Sequence, residues 1–352
     1  MKNNFVNLLR GLAIFLMLWG HCIQYCIPIG VDFFENPIFK IIYSFHMPLF
    51  MLISGYLFYF SFEKRDMKTL LAHRCKGLIH AIVFCGIFIY FTTTVVFSVI
   101  NGNISPIING GWLSSLSGLW FIWSVLGASI VVGVVCKKIT KLWLQIVLLV
   151  FGGLFVILLP NYDLNLFMYP YFIIGFYFAK YKQTLFKKID WLKYVFLPLF
   201  PVMMLFFDKK HYIYTSGIFG DKFGFWQYVQ IDLFRWAIGL VGSLFVIVLM
   251  EIVYKLIVSK TPRFALWNGV SYLGEKSLQI YALSSAFLSF YLPIVYSKII
   301  QRFPAIDLFF SNHIWLYNLG FSFVLGIVYS VCISLIIKLF EKIKFSKVLF
   351  GR

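Results

Sequence analysis

Apolar runs long enough to cross a lipid bilayer recur along the whole chain, and they leave few alternatives for its fold. A helix needs about 20 mostly apolar residues to span the hydrocarbon layer. Counting such runs gives ten predicted membrane-spanning helices, at residues 5–26, 38–62, 77–100, 118–136, 142–159, 166–180, 192–207, 227–256, 278–296 and 315–339. Only 12% of the 352 residues are charged, whereas about 25% is typical of a soluble domain. We therefore predict an all-α, polytopic integral membrane helical bundle.

The basic residues set the predicted orientation of these helices. The formal net charge is +18, and the lysines and arginines cluster in short segments between the apolar runs. With the N-terminus in the cytoplasm, 24 of the 31 fall on the inner side, which agrees with the positive-inside rule and makes both termini cytoplasmic. This distribution suits anionic membrane lipids or a polyanionic cosubstrate. The lack of a basic arm, of zinc-ligand spacing and of an RNA-binding strand pattern argues against nucleic acid.

Short predicted loops leave little room for chemistry outside the membrane. No predicted loop exceeds about 20 residues, so we predict a single transmembrane domain over residues 1–352 with no appended soluble domain. The six cysteines lie mostly in or beside apolar runs, which is typical of small hydrophobic residues rather than of disulfides or metal ligands. We expect no metal site. The first apolar run is too long for a cleavable signal peptide and lacks a cleavage site.

The first predicted helix carries two ionisable residues that a membrane helix normally avoids. Arg10 and His21 are 11 positions apart, so they lie within roughly 20° of one another around the helix and about 16 Å apart along it. An ionisable side chain at membrane depth costs several kcal/mol and is a candidate functional site by default. Two on one face predict a ligand or a pathway that runs along this helix.

A second histidine is predicted at a similar depth. His46 lies about eight residues into the second helix, which enters from the outside, so both imidazoles fall in the outer half of the bundle. A group that changes protonation near neutral pH suits general-base catalysis. The alternative for His46 is a structural histidine bonded to a neighbouring helix. Pro48 and Gly55 in the same helix predict a kink and a close helix contact, respectively.

Two cations at the start of the third helix are predicted at the level of Arg10. These are Arg74 and Lys76. A guanidinium binds phosphate in a forked geometry, so these residues are candidates for a phosphate site together with Arg10. The alternative is ordinary anchoring of a membrane helix by basic residues on the inner side.

Two segments on the predicted outer side are candidates for sugar binding. The segment 101–117 is rich in glycine, asparagine and serine and precedes Trp120 and Trp123, and the segment 208–226 contains His211, Tyr212, Tyr214 and Trp226. Aromatic side chains in such loops bind sugars by stacking, but they are also common at membrane boundaries for other reasons. Just beyond, Asp232 and Arg235 are spaced to form an ion pair on one helix.

Several of these motifs resemble one known family. Arg10 and His21 within LLRGLAIFLMLWGH resemble the first-helix signature of the membrane acyltransferase-3 family. The stretch FHMPLFMLISGYLF at 45–58 is similar to the second-helix signature of its fucose 4-O-acetylase-like branch. Weaker similarities are LWFI at 119–122, YPYFIIGFYFAK at 169–180 and YLGEKSLQIY at 272–281. The chain departs from the family where Gly77 and His80 replace a frequent arginine and proline, and where Leu283-Ser284 replaces a frequent Leu-His pair.

The resemblance implies an integral-membrane O-acyltransferase in the cytoplasmic (inner) membrane of a bacterium. Such an enzyme would move an acetyl group from cytoplasmic acetyl-CoA to a hydroxyl of a cell-surface or lipid-linked glycan. Arg10, with Arg74 and Lys76, would bind the CoA phosphates. His21 would be the general base or a covalent acyl relay, and His46 would orient it or stabilise developing charge.

Without the resemblance, the residues leave a second function open. Ionisable side chains from the inner rim to the outer half of a helical bundle also suit a transporter. The alternative is therefore a non-enzymatic carrier or exporter of a glycan or of a proton-coupled solute.

Overall fold

The protein is helical throughout the part of the chain that the computed structural model describes. That part comprises residues 4–101, 111–182, 191, 193–218, 222–258, 260–261 and 265–350, and it contains no β-strand. Its α-helices are α1 Asn4–Cys26, α2 Pro37–Lys64, α3 Met67–Asn101, α4 Gly111–Gly118, α5 Trp120–Lys138, α6 Leu142–Ile157, α7 Tyr162–Tyr181, α8 Phe196–Met204, α9 Ile213–Ser216, α10 Phe225–Val253, α11 Ala265–Glu275, α12 Ser277–Ala286, α13 Leu292–Arg302, α14 Pro304–Asn312, α15 Ile314–Leu316, α16 Ser322–Lys342 and α17 Phe345–Phe350. Most of the predicted outer loop 101–117 and part of 208–226 lie outside the described residues.

Seven helical segments in the described ranges are long and apolar enough to cross a membrane. They are Asn4–Cys26, Pro37–Lys64, Met67–Val99, Trp120–Lys138, Phe225–Ile257, Ser277–Arg302 and Ile314–Lys342. The all-α, multi-pass membrane fold predicted from the sequence is therefore confirmed. The three other predicted spans coincide with α6, α7 and α8. Because α6 has 16 residues, it is only about 24 Å long, so the count of ten spans stays a prediction. The cytoplasmic location of both termini also stays a prediction.

The chain divides into two compact units, each assembled from separate stretches of sequence. One unit comprises Met1–His46, Cys85–Ser115 and Val253–Arg352, and the other comprises Met47–Phe84 and Leu116–Ile252. The first unit contains α1 and the C-terminal helices. The second contains α5 to α9 and nearly all of α10. The single transmembrane domain stays a prediction.

Helix α1 packs against α11 with the two backbones in direct contact. A Cβ at Gly11 would overlap the carbonyl oxygen of Val270, and a Cβ at Gly274 would overlap that of Asn7. Small residues allow this approach, which is a principal way in which helices associate in lipid. Two glycines, one on each helix, thus fix the position of α1 in the first unit.

Helix α1 also packs against α16 and the segment before it. The indole nitrogen of Trp19 donates to the hydroxyl of Ser322 at 3.0 Å, and the Tyr317 hydroxyl donates to the carbonyl of Ile23 at 3.3 Å. Tyr317 begins a π-helical segment, Tyr317–Phe321. A widened helical turn of this kind often occurs at functional sites.

A second backbone contact joins α2 to α7 in the other unit. A Cβ at Gly55 would overlap the carbonyl oxygen of Phe172, and one at Gly175 would overlap that of Leu52. The close helix contact predicted at Gly55 is therefore confirmed. Pro48 lies inside α2, and the kink predicted there stays a prediction.

The predicted ion pair on α10 is also present. Arg235 Nη1 lies 2.6 Å from Asp232 Oδ1, and both side chains are almost fully buried. The same guanidinium donates to the carbonyls of His211 at 3.0 Å and Gly217 at 2.9 Å, and to the hydroxyl of Ser216. Since a buried guanidinium is stable only when its donors are paired, the segment around residues 211–217 completes the site of this cation.

Alanine substitution tests the contact between α1 and α11. We expect Gly274→Ala to lower the free energy of unfolding by about 1–3 kcal/mol, because the added methyl group meets backbone rather than a movable side chain. The matched control is Gly269→Ala on the same helix, where a Cβ meets nothing within 4 Å. There we expect no loss, or a gain of up to about 1 kcal/mol. Thermal unfolding of the purified protein measures both, and equal effects of the two substitutions would contradict the contact.

Candidate active site

Arg10 lies against the junction between α11 and α12. Its Nη2 donates to the hydroxyl of Ser277 at 2.6 Å, and Ser277 is the first residue of α12. One turn earlier on α1, the side-chain amide of Asn7 donates to Glu275 at 3.3 Å. The close approach at Gly274 brings this junction to α1. The stretch YLGEKS, which in the sequence was only a weak similarity, thus supplies the hydroxyl that Arg10 contacts.

The junction between α11 and α12 that Arg10 contacts carries both signs of charge. Lys276 forms an ion pair with Glu341 at the end of α16, and the ammonium of Lys338 lies 5.3 Å from the ring centre of Tyr272. The guanidinium itself is partly buried. Because a guanidinium has five N–H donors and always carries its charge, the bond to Ser277 orients Arg10 and leaves its charge intact. Such a group can bind an anion such as a phosphate.

His21 belongs to a triangle of hydrogen-bonding groups. Its Nδ1 lies 3.1 Å from Gln24 Oε1 and 3.1 Å from the hydroxyl of Tyr43, and that hydroxyl donates to Gln24 Oε1 at 3.1 Å. An amide oxygen only accepts hydrogen bonds, so Nδ1 carries the hydrogen and Nε2 carries the lone pair. Tyr25 stacks on the imidazole with ring centres 5.8 Å apart. The geometry therefore presents Nε2 as a base.

His46 lies on the other side of Tyr43. The ring centre of Tyr43 is 4.7 Å from that of His46 and 6.0 Å from that of His21. His46 is buried, and its Nδ1 donates to the carbonyl of Ile42 at 2.8 Å. Its Nε2 is then also an acceptor. The structure thus groups the two histidines picked out from the sequence around a tyrosine that sequence analysis missed.

Arg10 and His21 lie on one uninterrupted helix, as predicted, but they do not touch. The side chains between them on the same face are Ile14 and Met17, and both are buried and apolar. Hence this face of α1 separates a cation near one end from a base near the other by about 16 Å. Arg10 and His21 are not connected by a chain of polar groups along α1.

Arg74 and Lys76 lie on the part of α3 that belongs to the second compact unit. The guanidinium carbon of Arg74 is 5.1 Å from the ring centre of Phe58, a distance typical of a cation–π contact. Lys76 is exposed. Phosphate binding by these two residues together with Arg10 stays a prediction.

Three partners of the predicted site residues were missed from the sequence. Tyr43 lies three positions before His46 and Gln24 three positions after His21, so each is the neighbour on its own helix face. That spacing is the signal that was available. Ser277 is 267 positions from Arg10 and follows no local pattern, although the polar residues Glu275, Lys276 and Ser277 do interrupt an apolar stretch.

Comparison with known proteins places this arrangement in context. A family profile described as an acyltransferase domain matches residues 3–339. The nodulation protein NolL of Mesorhizobium japonicum is 27% identical over 215 residues, which cover 59% of this chain and 57% of that protein. NolL of Sinorhizobium fredii is 29% identical over 177 residues, which cover 49% of this chain and 48% of that protein. The chain therefore spans about half the length of each relative. No solved structure matches it significantly.

Nitrogen NMR of labelled histidines tests the tautomers that the hydrogen bonds require. In bilayers at pH 8, we expect His21 and His46 to carry hydrogen on Nδ1. His211 is the internal control, because its Nδ1 accepts from the backbone N–H of Asp208 at 2.9 Å. Burial lowers the pKa of His211 to about 4, so it is neutral with hydrogen on Nε2. Signals are assigned by substituting each histidine with asparagine. Hydrogen on Nε2 of His21 would contradict the proposed base.

Proposed function

The chain belongs to the acyltransferase-3 family, and we propose that it is an integral-membrane O-acetyltransferase that uses cytoplasmic acetyl-CoA. Its acceptor is a hydroxyl of a cell-surface or lipid-linked glycan. The observation that carries this proposal is the orientation of His21, since Gln24 and Tyr43 hold its Nδ1 and direct its Nε2 lone pair outward from the triangle. Family membership supplies the reaction class, and this imidazole supplies a base that suits it.

His21 performs the proton transfer that acyl transfer requires. Its Nε2 takes the proton of the acceptor hydroxyl while the oxygen attacks the thioester carbonyl. Collapse of the tetrahedral intermediate breaks the carbon–sulfur bond, and the imidazolium returns the proton to the CoA sulfur. In the relay variant of this mechanism, Nε2 itself attacks the thioester and the carbon–sulfur bond breaks to release CoA thiolate. The acceptor hydroxyl then attacks the acetylimidazolium, its proton goes to the CoA thiolate, and the bond from the acetyl carbon to Nε2 breaks to restore the neutral imidazole. In both routes Gln24 and Tyr43 hold the ring, as the third member of a catalytic triad does.

His46 suits an orienting role better than a charge-stabilising one. Its Nδ1–H is occupied by the Ile42 carbonyl, so the neutral ring accepts hydrogen bonds through Nε2 and has no donor left. An oxyanion needs a donor. The role that this tautomer allows is acceptance of a hydrogen bond from the substrate hydroxyl or from a nearby group.

Arg10 binds the phosphates of the donor on the cytoplasmic side in this proposal. A guanidinium pairs with phosphate through charge-assisted, often bidentate hydrogen bonds, and Ser277 holds the side chain in place. Arg74 and Lys76 add positive charge for the same anion. The 16 Å between Arg10 and His21, roughly the offset that the helix rise gives, suits the extended pantetheine arm that joins the phosphates of CoA to its thioester.

The carrier alternative has less support from the described residues. A proton-coupled carrier commonly uses a chain of ionisable or polar side chains across the bilayer. Ile14 and Met17 on the face between Arg10 and His21 are apolar and buried.

We place the proposed enzyme in the cytoplasmic membrane of a bacterium, with its basic surface against anionic lipids.

Removal of the imidazole tests the catalytic assignment. We expect His21→Ala to lower acetyl transfer at least about 100-fold, because general-base catalysis typically contributes 10²–10⁴-fold. Mass spectrometry of surface glycans measures this in cells that express either form. The control is His313→Ala, which removes an exposed histidine and should leave acetylation unchanged. Full acetylation by a stably folded His21→Ala protein would make the assignment wrong.

Donor binding tests Arg10 separately from the chemical step. We expect Arg10→Ala to weaken acetyl-CoA binding by more than about tenfold, the equivalent of 1.4 kcal/mol, since one charge-assisted phosphate contact is lost. Isothermal titration with the purified protein gives the dissociation constants. Lys64→Ala removes an exposed basic residue of the same predicted side and serves as the control. Equal affinities of the native and Arg10→Ala proteins would remove Arg10 from the donor site.

A further inference from the structure

An open cavity of about 590 Å³ lies in the second compact unit. One wall is the start of α7, Asn161–Leu164, and the other is formed by Ile213–Ile218 together with Lys222. Both stretches fall on the predicted outer side of the membrane. The volume is within the range of about 300–1,000 Å³ that small-molecule sites occupy. Nothing in the proposed reaction of His21 and Arg10 uses this cavity.

Buried hydrogen bonds hold the two walls together. The carboxylate of Asp163 accepts from the backbone N–H of Ile218 at 3.2 Å, which joins one wall to the other. Beneath them, Arg235 binds the carbonyl of Gly217 and the hydroxyl of Ser216, and Tyr228 donates to the carbonyl of Ser216 at 3.2 Å. These hydrogen bonds therefore fix the positions of both walls of the cavity.

Two tyrosine rings reach the surface at this cavity. Tyr162 is 52% exposed and Tyr214 is 54% exposed, and both line it. An exposed tyrosine offers a flat apolar face together with a polar hydroxyl. A pyranose ring presents the matching surface, with apolar C–H groups on its faces and hydroxyls around its edge. One tyrosine on each wall thus provides the platforms on which a sugar stacks.

The polar groups of the cavity favour a neutral sugar. Asp163 has a second oxygen that accepts hydrogen bonds from sugar hydroxyls, and its charge repels a carboxylate or a phosphate. Lys222, the lysine among the described lining residues, donates to the carbonyl of Thr215 at 2.6 Å. That bond leaves its ammonium charged, so Asp163 and Lys222 together give the described lining no net charge. A lining without net charge favours a neutral ligand over an acidic one.

We propose that this cavity is a subsite for a neutral pyranose of the acceptor glycan. The assignment to the acceptor rests on the proposed acetyltransferase function, whereas sugar binding by the cavity does not. The subsite holds the glycan by stacking and by hydrogen bonds to Asp163, and it takes no part in bond making or breaking.

Saturation-transfer difference NMR on the full chain in lipid nanodiscs tests the subsite. The probes are the methyl glycosides of glucose, galactose, mannose, fucose and N-acetylglucosamine. The charged comparison is the methyl glycoside of galacturonic acid, whose carboxyl group is ionised at neutral pH. We expect at least one neutral glycoside to bind and the acidic one not to bind. Binding should fall at least tenfold in Tyr214→Ala and in Tyr162→Ala.

Two further variants make the test specific. Trp226→Ala removes an aromatic side chain that is 74% exposed and lies outside the lining, so binding should be unchanged. Asp163→Asn keeps an oxygen for the Ile218 N–H and removes only the charge, so the acidic glycoside should gain affinity. The proposal is overturned if no neutral glycoside binds, or if binding is equal in the native, Tyr214→Ala and Tyr162→Ala proteins.

Acetylation of surface glycan, measured in parallel, separates the two proposals. Native acetylation with tyrosine-independent sugar binding would overturn the subsite and leave the acetyltransferase in place. Tyrosine-dependent sugar binding without any acetylation would support a sugar site and remove the enzyme assignment. Loss of sugar binding together with reduced acetylation at limiting acceptor in Tyr214→Ala supports both.

Discussion

The backbone contact between α1 and α11 is the interaction on which the Arg10 end of the candidate site depends. Lipid tails are as apolar as leucine, so helices in a bilayer gain little from burying apolar side chains and associate by close packing and polar contacts instead. Gly11 and Gly274 allow that packing. The turn after Gly274 then delivers Glu275 to Asn7 and Ser277 to Arg10. The position of the Arg10 guanidinium thus depends on glycine at positions 11 and 274.

The bonds that make polar groups tolerable inside the bundle also decide which of their atoms remain available. A buried polar group without a partner costs several kcal/mol where water is excluded. His21 meets this requirement through Nδ1 with Gln24 and Tyr43, and His46 meets it through Nδ1 with the Ile42 carbonyl. In both rings the structural bond uses one nitrogen and leaves the other as an acceptor. The nitrogen that makes the structural bond is therefore not the nitrogen to which our proposal assigns a chemical role.

Contacts that depend on local spacing could be predicted from the sequence, whereas contacts between distant segments of the chain could not. Helical spacing was enough for the shared face of Arg10 and His21, for the Asp232–Arg235 pair and for the close contact at Gly55. Ser277 was out of reach, because its pairing with Arg10 depends on how two helices far apart in the chain dock. The number of membrane crossings stays a prediction, since helices as short as α6 and α8 satisfy a hydropathy count without having the length of a full span.

Arg235 binds the backbone of the segment around residues 211–217, through carbonyl oxygens of residues that include His211 and Gly217. A carbonyl is present whatever side chain the residue carries, so the path of this segment is largely independent of its side-chain identities. Surface positions such as Tyr214 are therefore open to substitution without a change of fold. One buried cation therefore fixes the path of this segment while its surface side chains remain free to change.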